Sequence, residues 1–200
     1  MFRSIHEQHE AQRRMMFAYL DSDDFINFKK LSDYLGADVV LATRDVREGF
    51  EGKTFLHSAA RMGRIDFVSY LIDLQHPIDP FDCSCTKLTP LMEAIQGNFI
   101  ETAILLIESG ASVSYQDINM ENAFHYAARN GSSKMIKLMI KAAGISKDEI
   151  KGLLSVTDIK RRFPEDLATK SLAREVLLNF RQLGEHPQYK RVSVSHFNTS

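Results

Sequence analysis

The sequence has no tryptophan, only two cysteines and almost no net charge, and each shortage removes a class of protein from consideration. Its 25 Lys and Arg residues balance 26 Asp and Glu residues, so the formal charge is −1. A chain without a global positive field is poorly suited to hold a polyanion, and nucleic acid is disfavoured as a partner. The two cysteines, Cys83 and Cys85, lie too close in sequence to staple a fold. Reduced thiols fit the cytoplasm or the nucleus, which is where we expect the protein.

Long apolar runs are missing as well. Uninterrupted apolar stretches such as Ala103 to Ile107 fall far short of the roughly 20 residues that a membrane-spanning helix needs. Charged residues near the N-terminus, among them Arg3 and Glu7, do not fit the apolar core of a signal peptide. We therefore expect no membrane partner. With 44% hydrophobic and 26% charged residues, the chain nevertheless has the composition of a folded globular protein.

Catalytic signatures are another absence. The motifs G-x-S-x-G, H-E-x-x-H and G-x-x-x-x-G-K-[ST] do not occur. His76, Cys83 and Cys85 could be drawn as metal ligands, but an isolated C-x-C lacks the spacing of a zinc site. The sequence thus predicts a protein that is not an enzyme and that holds neither a metal nor a cofactor. The densest basic run, Lys160-Arg161-Arg162, is interpreted as a solvated surface.

What the sequence does contain is an internal repeat. The block T-F-L-H-S-A-A begins at Thr54, T-P-L-M-E-A-I at Thr89 and N-A-F-H-Y-A-A at Asn122, at offsets of 35 and 33 residues. Each block leads into a second segment in which apolar residues recur every three or four positions, as on a helix with one buried stripe. Each unit is therefore predicted to be a helix, a tight turn, a second helix and a loop.

Glycine and asparagine mark the predicted turns. Gly63, Asn98 and Gly131 fall at the same position of their units, where the backbone must reverse through a left-handed conformation. Gly97 precedes that position in the middle unit. Gly110 and Gly144 are placed to end second helices as C-terminal caps.

These residues closely resemble the ankyrin repeat, whose signature is T-P-L-H-x-A, a glycine turn, a second helix ending in L-L, and G-A-x-V. The matching residues are Thr89-Pro90-Leu91, His57, His125, Leu71, Leu105-Leu106 and Gly110 to Val113. The resemblance implies an all-α ankyrin-repeat solenoid of about five stacked helix-turn-helix units with hairpin loops. The sequence departs from the signature at Phe55, Ala123, Met92 and Gln75-His76-Pro77.

The repeat register divides the chain into units. We predict an N-terminal helix over residues 1–20, a degenerate N-capping unit over 15–50, three clear units over 51–84, 85–118 and 119–160, a C-capping unit over 161–184, and a flexible tail over 185–200. Gly36-Ala37-Asp38-Val39 is interpreted as the loop that follows a second helix from Phe25 to Leu35. The segment 145–158 is an insertion, and Ser146 to Glu149 resembles a capping box that would begin an added helix.

The resemblance also implies roles for particular residues. His57 and His125 are expected to hydrogen-bond backbone groups and to hold adjacent units in register, not to act in catalysis. The function implied is that of a non-catalytic adaptor that binds an unidentified protein or peptide on the concave face, formed by first helices and hairpin tips. The expected partner-binding residues are Arg61, Met62, Phe81, Lys87, Glu93, Gln96, Tyr115, Tyr126, Arg129 and Asn130.

Three other readings stay open. The chain could be the N-terminal recruiting module of a larger enzyme, for example a chromatin-associated one. A methyl-lysine reader usually needs a tryptophan-rich cage, so Tyr115 and Tyr126 would have to substitute. The N-terminal helix could mediate self-association through Phe2, Ile5, Met15, Met16, Tyr19 and Leu20. Ser193, which follows Lys190-Arg191, resembles a kinase target in the tail.

Overall fold

The computed structural model describes residues 5–47, 52–80 and 86–182. Within these segments the protein contains eleven α-helices, one short 3-10 helix and no strand, which confirms the all-α prediction. The α-helices are α1 (Ile5–Asp21), α2 (Phe25–Leu35), α3 (Ala37–Ala42), α4 (Phe55–Met62), α5 (Ile65–Asp73), α6 (Pro90–Gln96), α7 (Ile100–Glu108), α8 (Ala123–Arg129), α9 (Ser133–Ala143), α10 (Lys147–Leu154) and α11 (Ser171–Gln182). The 3-10 helix spans Pro164–Leu167.

The helices stack in two layers. The first helices α4, α6 and α8 pack side by side, and the 3-10 helix continues their row. The second helices α5, α7, α9 and α11 form a parallel row, and each of α4, α6 and α8 also packs on the second helix that follows it. The result is the solenoid of helix-turn-helix units that the repeat predicted. The residue boundaries of the five units remain predictions.

The first helices begin at the same kind of cap. Thr54, Thr89 and Asn122 are fully buried, and each side chain accepts the backbone N–H of the residue three positions later. A buried helix end has no water for its unpaired N–H groups, so a side-chain acceptor is needed there. Small residues such as Ala59 and Ala94 are buried within these helices and leave room for the neighbouring unit.

The turns between paired helices follow the predicted register. Gly63, Asn98 and Gly131 have φ angles of 69°, 59° and 64°, whereas Gly97 is right-handed with φ of −74°. Asn98 therefore takes the left-handed position in the middle unit, as predicted. Gly63 is required for space as well, because a Cβ there would lie 2.3 Å from Cδ1 of Phe99.

One continuous helix, α1, forms the N-terminal end of the stack. It covers both the predicted extra helix and the poor first helix of the capping unit, and it packs on α2 and α4. Met16 and Leu20 are fully buried, and the ring of Phe17 lies 4.2 Å from that of Phe55. These apolar residues are thus used inside the stack, while Met15 remains 48% exposed.

The segment after α2 differs from the prediction. Gly36 ends α2 with a φ of 86°, but the following residues form the helix α3 instead of a G-A-D-V loop. Val40 is fully buried from this helix. Asp38 lies in its first turn, where a carboxylate complements the helix dipole. The loop interpretation was therefore wrong for Ala37 to Val39.

The added helix of the insertion is present as α10. Ser146 accepts the backbone N–H of Glu149 at 3.3 Å, and Glu149 accepts that of Ser146 at 2.8 Å, so the capping box is complete. Ile150 and Leu154 are buried, and α10 packs against α11. The first helix of the terminal unit is reduced to the 3-10 helix. The predicted tail, residues 185–200, lies outside the described residues.

Candidate protein-binding surface

Buried aspartates build the hairpin tips. Oδ1 of Asp117 accepts the backbone N–H groups of Asn119 at 2.9 Å and Glu121 at 2.7 Å. Asp158 does the same for Lys160 at 2.8 Å and Arg162 at 2.9 Å. These hydrogen bonds fold each loop back before the next first helix. Asp117 and Asp158 are not among the residues predicted from the sequence, although each stands five residues before an equivalent position, Asn122 or Phe163.

Backbone hydrogen bonds also join one tip to the next. The N–H of Ile118 donates to the carbonyl of Thr86 at 3.2 Å, and the N–H of Ile159 donates to the carbonyl of Asn119 at 2.9 Å. The tips of three successive units therefore form one continuous edge. Ile118 and Ile159 are 53% and 56% exposed on it.

A row of exposed residues lies near the end of the first helices. Arg61, Gln96 and Arg129 are all exposed and stand seven residues after the caps Thr54, Thr89 and Asn122. Because first helices pack side by side, the same position of each unit falls on one line across the stack. Three of the predicted partner-binding residues thus share one accessible row.

The position four residues after the cap is buried instead. Ser58, Glu93 and Tyr126 occupy it and are 0%, 2% and 7% exposed. The repeat register predicts exposed groove positions for Glu93 and Tyr126, and this prediction of exposure is wrong. Glu93 forms a buried ion pair with Lys53 of the preceding unit.

Tyr126 is committed to the tip of its own unit. Its hydroxyl donates to Oδ2 of Asp117 at 2.9 Å. Burial raises the pKa of Tyr126, and the neighbouring carboxylate of Asp117 raises it further, so the phenol stays protonated. A ring held in this way cannot form an open wall of a methyl-lysine cage.

Other predicted residues lie at the margin of the surface or outside it. Lys87 and Tyr115 are exposed, and Met62 is half-buried. Asn130 is half-buried because its side-chain amide donates to the carbonyl of Ile95. Phe81 and Ser193 lie outside the described residues, so their predicted roles stay predictions.

Ion pairs occupy the acidic side chains of this region. Arg129 pairs with Glu121, which is 3% exposed, and this hydrogen bond raises the pKa of Arg129 despite opposing burial. Arg162 pairs with Asp158 at 2.7 Å. Burial opposes ionisation of Asp158, but hydrogen bonds from Arg162 and Lys160 outweigh it, and the pKa of Asp158 is lowered.

His57 joins two units through hydrogen bonds as predicted, whereas the hydrogen bonds of His125 lie within its own unit and its Nε2 has none among the described residues. Nδ1 of His57 lies 2.9 Å from Oγ1 of Thr54, and Nε2 lies 3.0 Å from the carbonyl oxygen of Leu88 in the next unit. Nδ1 of His125 lies 2.8 Å from Oδ1 of Asn122. Burial lowers the pKa of His125, although the backbone of Arg162 in the following unit opposes the shift.

The described segments offer no cluster of three or more His, Cys, Asp or Glu side chains that could hold a metal ion. Cys83 and Cys85 lie outside these segments, so the sequence argument is all that bears on them. None of the helices described is both long and apolar enough to span a bilayer.

The chain matches the family model for ankyrin repeats (3 copies) over residues 27–117 and 74–151. Together these ranges span more than half of the 200 residues. The chain therefore belongs to the ankyrin repeat family, as its signature predicted. Ankyrin repeats are protein–protein interaction modules, so protein partners are the ligands that this fold implies.

Several curated proteins are similar to parts of the chain. The probable E3 ubiquitin-protein ligase XBOS31 of Oryza sativa subsp. japonica is 32% identical over 114 residues, which are 56% of this chain and 25% of that protein. The ankyrin repeat and KH domain-containing protein mask of Drosophila melanogaster is 34% identical over 89 residues, 44% of this chain and 2% of that protein. The B-cell lymphoma 3 protein homolog of Mus musculus is 28% identical over 97 residues, 48% of this chain and 21% of that protein. The chain thus spans a quarter or less of each relative.

Proposed function

We propose that the chain is a non-catalytic adaptor that binds a protein or peptide in the groove between its hairpin tips and its first helices, and that it does so in the cytoplasm or the nucleus. The observation that carries this proposal is the row formed by Arg61, Gln96 and Arg129. These three side chains share one repeat position and are exposed. The equivalent residues one helical turn earlier are all buried.

The contrast between these two rows supports binding over packing. A long side chain that is exposed at the same position of successive units contributes little to burying the stack. Arginine and glutamine there offer planar groups with several hydrogen-bond donors to a partner. The tips add exposed apolar side chains beside this row, and a mixture of the two is typical of a protein interface.

The test combines two surface alanines with a control on the other layer. Arg61→Ala with Gln96→Ala should sharply reduce capture of partner proteins by the tagged full chain. Asp73→Ala with Glu108→Ala is the matched control, because both residues are exposed at one shared position of the second helices α5 and α7. The control should retain capture. Tyr126→Ala is unsuitable as a binding test, because it would open a cavity and remove a hydrogen bond from the buried Asp117, and so would destabilise the fold.

A photo-crosslinking residue gives the same test without removing a contact. Placed at Gln96 it should yield partner adducts, and placed at Glu108 it should yield none. Adducts from Glu108 alone, together with undiminished capture by the Arg61 and Gln96 variant, would reject the groove.

A second candidate is the recruiting module of a longer enzyme. The chain covers only a quarter of a relative that is named a probable E3 ubiquitin-protein ligase. In that case the groove would bind a substrate for a catalytic domain elsewhere in the same polypeptide. Sequencing the native transcript beyond the codon for Ser200 tests this candidate. A stop codon there would reject the recruiting module and leave only the adaptor proposal.

A further inference from the structure

One position of the hairpin tips has unusual backbone geometry. It lies two residues before the N-cap residue of the first helix, and its residue has a left-handed φ in all four hairpins where it is described. The residues and angles are Gly52 at 78°, Lys87 at 52°, Met120 at 60° and Arg161 at 59°. Glycine adopts such angles without a steric cost, whereas residues with a Cβ do not.

The three non-glycine side chains do not recover this cost by packing. Lys87 and Arg161 are exposed, and Met120 is 49% exposed. Among the described residues, neither Lys87 nor Arg161 forms an ion pair. Gly52 has the same left-handed φ without a side chain, so this backbone conformation does not require a lysine, a methionine or an arginine.

The tip-to-tip hydrogen bonds bring these side chains into one line. Thr86, which accepts from Ile118, precedes Lys87, and Asn119, which accepts from Ile159, precedes Met120. Two exposed isoleucines therefore lie between the strained positions. We name this set the tip row, and its members are Lys87, Ile118, Met120, Ile159 and Arg161.

The charged members of the tip row are both cations. Three carboxylates of the hairpin tips, Asp117, Glu121 and Asp158, are buried and already bound to Tyr126, Arg129 and Arg162, and the exposed Asp166 accepts the backbone N–H of Phe163 at 2.9 Å. Lys87, Lys160 and Arg161 are exposed. A protein of formal charge −1 therefore carries a locally basic edge with apolar side chains between its cations.

We propose that the tip row binds an extended partner segment in which carboxylates flank apolar side chains. The proposal rests on the adaptor function and narrows the partner to an acidic, apolar peptide. Packed helices lie roughly 8–10 Å apart and an extended chain advances about 3.3 Å per residue, so such a segment would meet one tip about every three residues. Exposed isoleucine and methionine favour a peptide over nucleic acid, whose bases stack on aromatic rings.

A periodic synthetic peptide is the direct probe. A fluorescent peptide of repeated Glu-Leu-Ser units should bind the full chain saturably in fluorescence anisotropy, and added salt should weaken binding. The same peptide with lysine in place of glutamate should not bind. Equal binding of the lysine peptide, or tighter binding of a single-stranded oligonucleotide, would overturn the proposal.

The strained geometry provides a variant that separates binding from stability. Lys87→Gly, Met120→Gly and Arg161→Gly combined should weaken the Glu-Leu-Ser peptide by about tenfold or more, while the melting temperature stays equal or rises. Gln75→Gly is the matched control, because Gln75 has a φ of 60° but belongs to the end of α5. It should leave peptide affinity unchanged. Undiminished affinity in the triple variant would overturn the proposal.

Charge reversal completes the test and separates it from the adaptor function. Lys87→Glu with Arg161→Glu should lose the Glu-Leu-Ser peptide and gain the lysine peptide. If native partners still crosslink from Gln96 and every tip-row variant captures them as well as the wild type does, the acidic-peptide inference fails and the adaptor function is retained. If no partner crosslinks from Gln96 either, the adaptor function itself fails.

Discussion

The starts of the first helices and the hairpin tips lie only two residues apart, yet the units treat the two positions differently. At the helix starts, Thr54, Thr89 and Asn122 perform the same capping and are all fully buried. At the tips, one unit has glycine and the others have three different long side chains that are exposed. The buried position must keep a side-chain acceptor for the helix N–H groups, whereas the exposed one has no such requirement.

The energies point in opposite directions as well. A side-chain cap stabilises a helix by about 1 kcal/mol, and a left-handed residue with a Cβ costs roughly 1–2 kcal/mol. The capping residues therefore stabilise the stack, and the left-handed tip residues destabilise it slightly. Strain that packing does not repay is typical of functional positions. We therefore propose that the helix starts provide stability and that the tips provide recognition.

The largest expected effect comes from Lys53, which lies between the first tip and the first cap. Its ammonium group pairs with Glu93 in the next unit, and both side chains are at most 10% exposed. Lys53→Met should lower the free energy of unfolding by about 3–5 kcal/mol, because the buried carboxylate loses this cation. Denaturant unfolding measures the change.

The control for this prediction removes both charges. Lys53→Met combined with Glu93→Leu should recover most of the loss, since a buried ion pair is often replaced by apolar residues at little cost. A single variant as stable as the wild type would contradict the view that this layer carries the stability of the stack.

The next effect tests the contact that joins two units through a histidine. His57→Leu removes the hydrogen bonds to Thr54 and to the carbonyl of Leu88, and we expect a loss of about 1–3 kcal/mol in unfolding free energy. Met92 stands at the same position of the next unit, and a methionine side chain has no N–H group that could donate such a hydrogen bond. Met92→Leu should therefore cost less than about 1.5 kcal/mol. Equal losses would show that the histidine only fills space.

Much of the fold could be predicted because the same local features recur in each unit. Caps, left-handed turns and apolar stripes are local requirements, so Thr89, Asn98 and Ser146 could be assigned from their neighbours in sequence. The same holds for α10 and for the helix through Leu20. Each of these predictions needed only a few adjacent residues, and the structure confirms them.

The candidate site was predicted less well because its residues depend on distant partners. Whether Glu93 points into a groove or into the stack depends on Lys53, which lies 40 positions earlier in the chain. Tyr126 is buried because Asp117 accepts its hydroxyl hydrogen. The strain at Met120 and Arg161 needs φ angles, which sequence spacing alone does not give. Only the exposed row of Arg61, Gln96 and Arg129 follows directly from the repeat register.

A smaller effect concerns the pH dependence of stability, which we expect to differ from that of binding at the tips. Burial lowers the pKa of His76 and of His125 from the ordinary value of 6.5, so both histidines bind protons more readily in the unfolded chain than in the folded one. The unfolding free energy should therefore be highest above pH 6.5 and fall as the pH drops below it. Denaturant unfolding across this range measures the slope.

His76 provides the variant for that measurement. It is 5% exposed, its Nε2 has no hydrogen-bond partner among the described residues, and nearby Arg44 lowers its pKa further. His76→Leu should make the pH dependence shallower. Neither histidine belongs to the tip row, so we expect the affinity for the Glu-Leu-Ser peptide to depend on pH only through the stability of the fold. A steeper dependence in the variant would contradict the assignment.

The smallest effect transfers the glycine comparison from the tips to a site without a binding role. Gln75 ends α5 in a left-handed conformation, with its N–H bonded to Ile72 at 2.8 Å and that of His76 bonded to Leu71 at 3.1 Å. Gly110 closes α7 through the same pair of hydrogen bonds. Gln75→Gly should raise the unfolding free energy by about 0.5–1 kcal/mol, and Gly110→Gln should lower it by about 1 kcal/mol. Gln75→Gly and Gly110→Gln should thus change stability alone, in opposite directions. Glycine at Lys87, Met120 and Arg161 should change both stability and peptide binding. That difference would show that backbone strain alone does not define the binding site. In that case the exposed side chains at the tips, and not their backbone strain, are what we propose a partner recognises.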